Sequence, residues 1–94
     1  MQVTYCTYAL YAPFVHTLKE RRSVVQPLLA RVRRRFPVSM LEIGDHDVHQ
    51  HIRLGVVWLS PDAAHADRMQ AQLEDFLLQH TQAQLVAQTR DVLM

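Results

Sequence analysis

The 94-residue sequence predicts an α+β domain, a ferredoxin-like βαββαβ sandwich in which a four-stranded antiparallel sheet carries two helices on one face. Three observations predict it. Apolar residues recur with periods of about 2 or about 3.6 in the order strand, helix, strand, strand, helix, strand. Both helices are amphipathic, so each has one face to bury. Two strand–helix–strand units with right-handed crossovers interleave into a single sheet with both helices on the same side.

The first strand is residues 2–12 (QVTYCTYALYA), rich in Tyr, Thr and Val and closed by Pro13. Alternation puts Cys6, Tyr8 and Leu10 on one face and Val3, Tyr5, Thr7, Ala9 and Tyr11 on the other. Thr17-Leu18-Lys19-Glu20 then has the spacing of a capping box, Thr17 accepting from the backbone N–H of Glu20. Leu18, Val25, Leu28, Leu29, Val32 and Phe36 follow on one helical face, and Pro37 stops the helix at Phe36. Pro27 conflicts with this helix, because it removes a hydrogen bond and crowds the carbonyl of Ser23; a kink or a restart is expected there.

Residues 38–44 (VSMLEIG) alternate and end at Gly44, a second strand. Asp45-His46-Asp47 reads as a turn, and residues 49–59 (HQHIRLGVVWL) form a third strand, paired with the second as a hairpin. Ser60-Pro61-Asp62 starts the second helix, with Ser60 as N-cap and Pro61 at the first helical position. That helix runs to about His80, burying Ala66, Met69, Leu73, Phe76 and Leu77. Residues 83–93 (AQLVAQTRDVL) close the sheet as a fourth strand, although Ala and Gln are poor strand formers.

Composition limits the function. A chain of this length forms one domain, residues 1–94, and 49% hydrophobic with 20% charged residues is a globular balance. No run approaches 18 apolar residues, so no membrane span is expected. The N-terminus has no basic segment followed by an apolar run, so no signal peptide is expected. Cys6 is the single cysteine, which excludes an internal disulfide and a CxxC site and fits a cytoplasmic protein. No GxSxG, P-loop, HExxH or GxGxxG occurs, and Cys6 sits mid-strand like an inert buried thiol. A binding module is expected rather than an enzyme, with no cofactor.

Charge is concentrated. The formal net charge is +1, yet residues 19–35 hold seven cations against Glu20 alone, a net +6, while the remainder is net −5. A segment this basic in a near-neutral domain points to phosphate or another anion, the alternative being a solvated helix surface. With Val25 at zero, Arg22, Arg33 and Lys19 fall at about 60°, 80° and 120°, and Arg31 and Arg35 near 240° and 280°. Arg34 points outward. The charge therefore rims the helix on both sides, and Arg21, near the buried face, is expected to snorkel or pair with an acid.

Several stretches also carry a family resemblance: Ala12-Pro13, Thr17-Leu18-Lys19-Glu20-Arg21-Arg22, Phe36-Pro37-Val38-Ser39, and Glu42-Ile43-Gly44-Asp45-His46-Asp47 with Gln50 and Leu54-Gly55. In order and spacing they resemble the YlxP-like proteins, small bacterial domains of unknown function, over nearly the whole chain. The resemblance implies a ferredoxin-like fold. Because members are often encoded beside translation and ribosome-maturation factors, it also implies an RNA or ribosome role. It brings no catalytic residues. His49 and His51 stand where relatives more usually have a large aromatic and a basic residue, and Pro27 interrupts the helix.

Three surfaces are thus candidates. Lys19, Arg22, Arg33 and Arg34 are the residues expected to contact RNA phosphates, three or four contacts giving weak, salt-sensitive binding. The uncovered sheet face, with Tyr5, Tyr11 and Trp58 on its first and third strands, offers base stacking or, more simply, association into a homodimer. Asp45, His46, Asp47, His49 and His51 crowd the hairpin. On a strand starting by residue 49, His49 and His51 point the same way and make half a zinc or nickel site, its third ligand coming from His16, His65, His80 or a second chain. A solvated hairpin end is the simpler reading, and no metal is expected.

Overall fold

A computed structural model, which describes residues 1–44 and 49–94, has the elements β1 (Gln2–Tyr11), α1 (Leu18–Arg35), β2 (Ser39–Ile43), β3 (His51–Ser60), α2 (Ala63–His80) and β4 (Gln84–Val92). The strands form one antiparallel sheet in the order β2-β3-β1-β4. The Asp45-His46-Asp47 turn lies outside the described residues.

One face of the sheet is the core. Thr4, Cys6, Tyr8 and Leu10 of β1 alternate into it, opposite Trp58, Val56, Leu54 and Ile52 of β3. Val25, Leu28, Leu29 and Val32 of α1 and Met69, Leu73 and Leu77 of α2 complete the same cluster, so both helices cover that face. Trp58 is therefore 3% exposed, and its indole N–H donates to the Ser60 hydroxyl at 3.1 Å. It is not available on the uncovered face with Tyr5 and Tyr11. Arg53 has the opposite parity on β3 and is exposed, so alternation sends Trp58 inward.

Local chemistry sets the ends. Thr17 caps α1, its hydroxyl accepting from the Glu20 N–H at 3.1 Å. The helix runs unbroken across Pro27 to Arg35 rather than restarting there. The start of α2 lies two residues later than the Ser-Pro-Asp pattern predicts. Asp62 is the N-cap, accepting from the His65 N–H at 2.8 Å. Ser60 belongs instead to β3, paired with Gln2, and its hydroxyl is held by Trp58 and by His65 Nδ1 at 2.8 Å. β3 likewise begins at His51, not at residue 49.

β4 is an edge strand with a register shift against β1 between Ala9 and Leu10, which leaves Val86 without a partner on β1. Thr7 and Thr89 hydrogen-bond through their hydroxyls across this pair. The chain beyond β4 continues along β1, with the Leu93 N–H donating to the Val3 carbonyl at 2.8 Å.

Candidate nucleic-acid interface

Arg21 is removed from the basic surface. It is 1% exposed, directed from α1 toward the sheet, with Nε and Nη2 each 2.9 Å from Glu42 Oε1 and Nη1 donating to the His49 carbonyl at 3.2 Å. Its role is to tie α1 to β2 and to the start of β3.

The other six cations of α1, Lys19, Arg22, Arg31, Arg33, Arg34 and Arg35, are all exposed. Among the described residues none of them lies in an ion pair with a carboxylate; ion pairs there join Arg21 to Glu42 and Arg90 to Asp67. Their charge is left for solvent or for a ligand.

These cations divide between the two flanks of the helix. Toward β2, Arg22 shares a hollow with Leu18, Arg21, Gln26 and Glu42, and Arg33 donates to the Met40 carbonyl at 2.7 Å. Toward α2, Arg34 joins Arg31 and Arg35 along a groove with Phe76 and His80. The four residues expected from sequence are thus not one patch. Arg34 belongs with Arg31 and Arg35 rather than with Arg22 and Arg33.

The α2 side of this groove was not expected. The helices run antiparallel, so Arg31 meets His80 while Phe36 meets Phe76. Phe36 and Phe76 pack edge to face at 5.4 Å, and the Phe76 and His80 rings lie 4.1 Å apart at 36°. The Arg35 guanidinium sits 5.1 Å from the Phe36 ring centre, and Arg31 Nη1 is 3.3 Å from His80 Nδ1. A guanidinium can only donate, so Nδ1 of His80 accepts. Two i, i+4 pairs, Arg31 with Arg35 and Phe76 with His80, are the sequence signals for this site.

The uncovered sheet face has a different character. Ser39, Leu41 and Ile43 of β2 oppose Val57, Gly55 and Arg53 of β3, which oppose Tyr5, Thr7 and Ala9 of β1. Gly55 leaves a shallow apolar depression between Tyr5, Leu41, Ile43 and Val57. A Cβ there would come within 3.1 Å of Ile43 Cγ2 and 3.3 Å of the Tyr5 hydroxyl. Leu41 and Leu59 are 60% and 63% exposed.

The two hairpin histidines do not share a strand, because β3 begins at His51. His49 precedes β3, its Nδ1 buried with no hydrogen-bond partner among the described residues, whereas His51 is exposed with its ring 5.2 Å from Tyr11. No group of three His, Cys, Asp or Glu among the described residues is placed to hold a metal. His65 is bonded to Ser60 and His80 to Arg31, both away from the hairpin. Cys6 is buried, and burial pushes its thiol above the ordinary value. Burial likewise pushes the Tyr8 phenol up, and its hydroxyl reaches Glu74 Oε1 at 3.5 Å.

Sheet topology, helix placement and cationic outer helix together define a small ferredoxin-like domain. The same fold appears in a de novo designed ferredoxin-fold protein, 13% identical, with a TM-score of 0.61 over 100% of this chain and 87% of that one. It appears again in a variant of SnoaB, a cofactor-independent oxygenase from Streptomyces nogalater, 15% identical, with a TM-score of 0.50 over 99% and 91%. At such identities the likeness is one of fold alone. No curated protein matches the sequence. Residues 3–90 match the family described as "Protein of unknown function (DUF503)", and the chain belongs to that family.

Proposed function

We propose that this chain is a non-enzymatic, cytoplasmic RNA-binding module that associates with a ribosomal particle through α1. One observation carries the proposal: six cations of a single helix are exposed, and among the described residues none has a carboxylate partner. A guanidinium or ammonium held this way meets a phosphate without first breaking an ion pair. The likeness of Leu18-Lys19-Glu20-Arg21-Arg22 and the stretches after it to the YlxP-like proteins, with their translation-linked gene neighbours, supports the ribosomal setting. No helix among the described residues is long and apolar enough to cross a membrane.

Cosedimentation tests it. The protein should travel with ribosomal particles in a low-salt gradient and leave them at high salt. Replacing Arg33 and Arg34 by Ala should weaken binding to every RNA sequence about equally, since phosphate contacts carry no sequence information. Absence from the particle fractions, or a loss confined to one RNA sequence, would count against it.

A second reading rests on the uncovered face. The exposed Leu41 and Leu59 and the depression at Gly55 favour two copies associating through their sheets. Light scattering with and without RNA separates the readings, because a monomer at high concentration excludes the dimer.

A further inference from the structure

The groove between α1 and α2 has a composition that phosphate binding alone does not need. Three arginines face an exposed imidazole, which lies on a half-buried phenyl ring. Phe36 supports that phenyl ring from its edge and is itself 5% exposed, so the aromatic step is anchored in the core. Ring pairs of this kind give an unstacked base a π surface, and stacking tolerates any base.

We propose that this groove holds one unpaired nucleotide of single-stranded RNA, its base on the exposed side of His80 and its phosphate between Arg31 and Arg34. The proposal rests on the RNA-binding reading of α1 and names the class of RNA. The side on which the backbone lies follows from the charges. Asp75 lines the adjoining hollow with Arg35, Gln72 and Gln79, which shares Phe76 and His80 with the groove, and it accepts from the Gln79 amide at 3.2 Å. Its carboxylate repels phosphate, so the backbone lies toward the Arg31–Arg34 side, where no acid lines the groove among the described residues. A duplex keeps its bases stacked inside and offers the His80 ring nothing to stack upon.

Anisotropy titrations with a short labelled oligouridine and with an RNA duplex of equal length test this. The intact chain should bind the single strand about tenfold more tightly than the duplex. His80→Ala should weaken single-strand binding roughly tenfold, leave duplex binding unchanged and leave the salt slope unchanged. Replacing Arg31 and Arg34 by Ala should lower the salt slope by about 1.4, two cations at ~0.7 each. His80 is exposed at the end of α2, so its variant should keep the parent circular dichroism spectrum, and Phe76→Leu serves as a second probe of the same step. Equal affinity for single strand and duplex, or full affinity in both ring variants, overturns the stacking proposal while leaving phosphate binding by α1 standing. Competition by polyglutamate as effective as that by oligouridine overturns it too, making the groove a site for acidic peptides. No binding of either RNA at low salt removes the RNA-binding reading itself.

Discussion

Replacing Glu42 by Ala should cost this domain about 3 kcal/mol. The Arg21 side chain is 2% exposed and that of Glu42 17%, with Nε and Nη2 of the guanidinium each 2.9 Å from one carboxylate oxygen. Deleting one member of a buried pair leaves the other charge desolvated, at roughly 3–5 kcal/mol. Water reaches Glu42 in part, which sets the value at the lower end. A domain of this size has a total stability of about 5–14 kcal/mol, so the loss is a large share of it. It corresponds to a fall in Tm of about 12–24 °C. Urea unfolding followed by circular dichroism measures it, with an unchanged m-value showing that the folded and unfolded states keep their exposures. The double replacement of Arg21 by Met and Glu42 by Leu removes both charges. It should cost less than the single replacement, because no charge is then left buried without its counter-ion. A single-variant cost below 1 kcal/mol would refute the view that this pair locks α1 to the sheet.

Other consequences are as direct. Burial raises the Cys6 thiol above 9.0 and the Tyr8 phenol above 10.0, so the folded state keeps protons that the unfolded chain releases; stability should be constant at neutral pH and fall as pH climbs through 9 and 10, read by unfolding at a series of pH values. Cys6 should also stay unmodified by iodoacetamide at pH 8 until the chain is unfolded. Pro27→Ala should stabilise the protein by roughly 1–3 kcal/mol, because it restores the hydrogen bond to the Ser23 carbonyl inside α1; denaturant midpoints measure this. Leu41→Glu should leave Tm within about 2–4 °C of the parent and, if two copies meet through the sheet, abolish self-association seen by light scattering.

Where period and composition agree, the sequence is sufficient. Alternation in β1 sorts Cys6, Tyr8 and Leu10 from Tyr5, Thr7 and Tyr11 as the structure does, and the threonine cap and Pro37 bracket α1. The face of Trp58 is harder to read because Val56, Val57, Trp58 and Leu59 are all apolar, so period 2 fades at the end of β3. Counting back to Arg53 settles it. Ser60 misleads for another reason: its hydroxyl serves a buried indole, a demand that comes from β3 and not from the helix it precedes. The groove at Arg31 and His80 joins residues 49 apart in sequence, and only the antiparallel docking of two helices brings them together.

The slope of log affinity against log salt for a single-stranded RNA tests the role of α1 most directly. Engagement of three or four of its exposed cations predicts a slope of about −2 to −3, at ~0.7 per phosphate. A slope near zero, or no complex at low ionic strength, would contradict it.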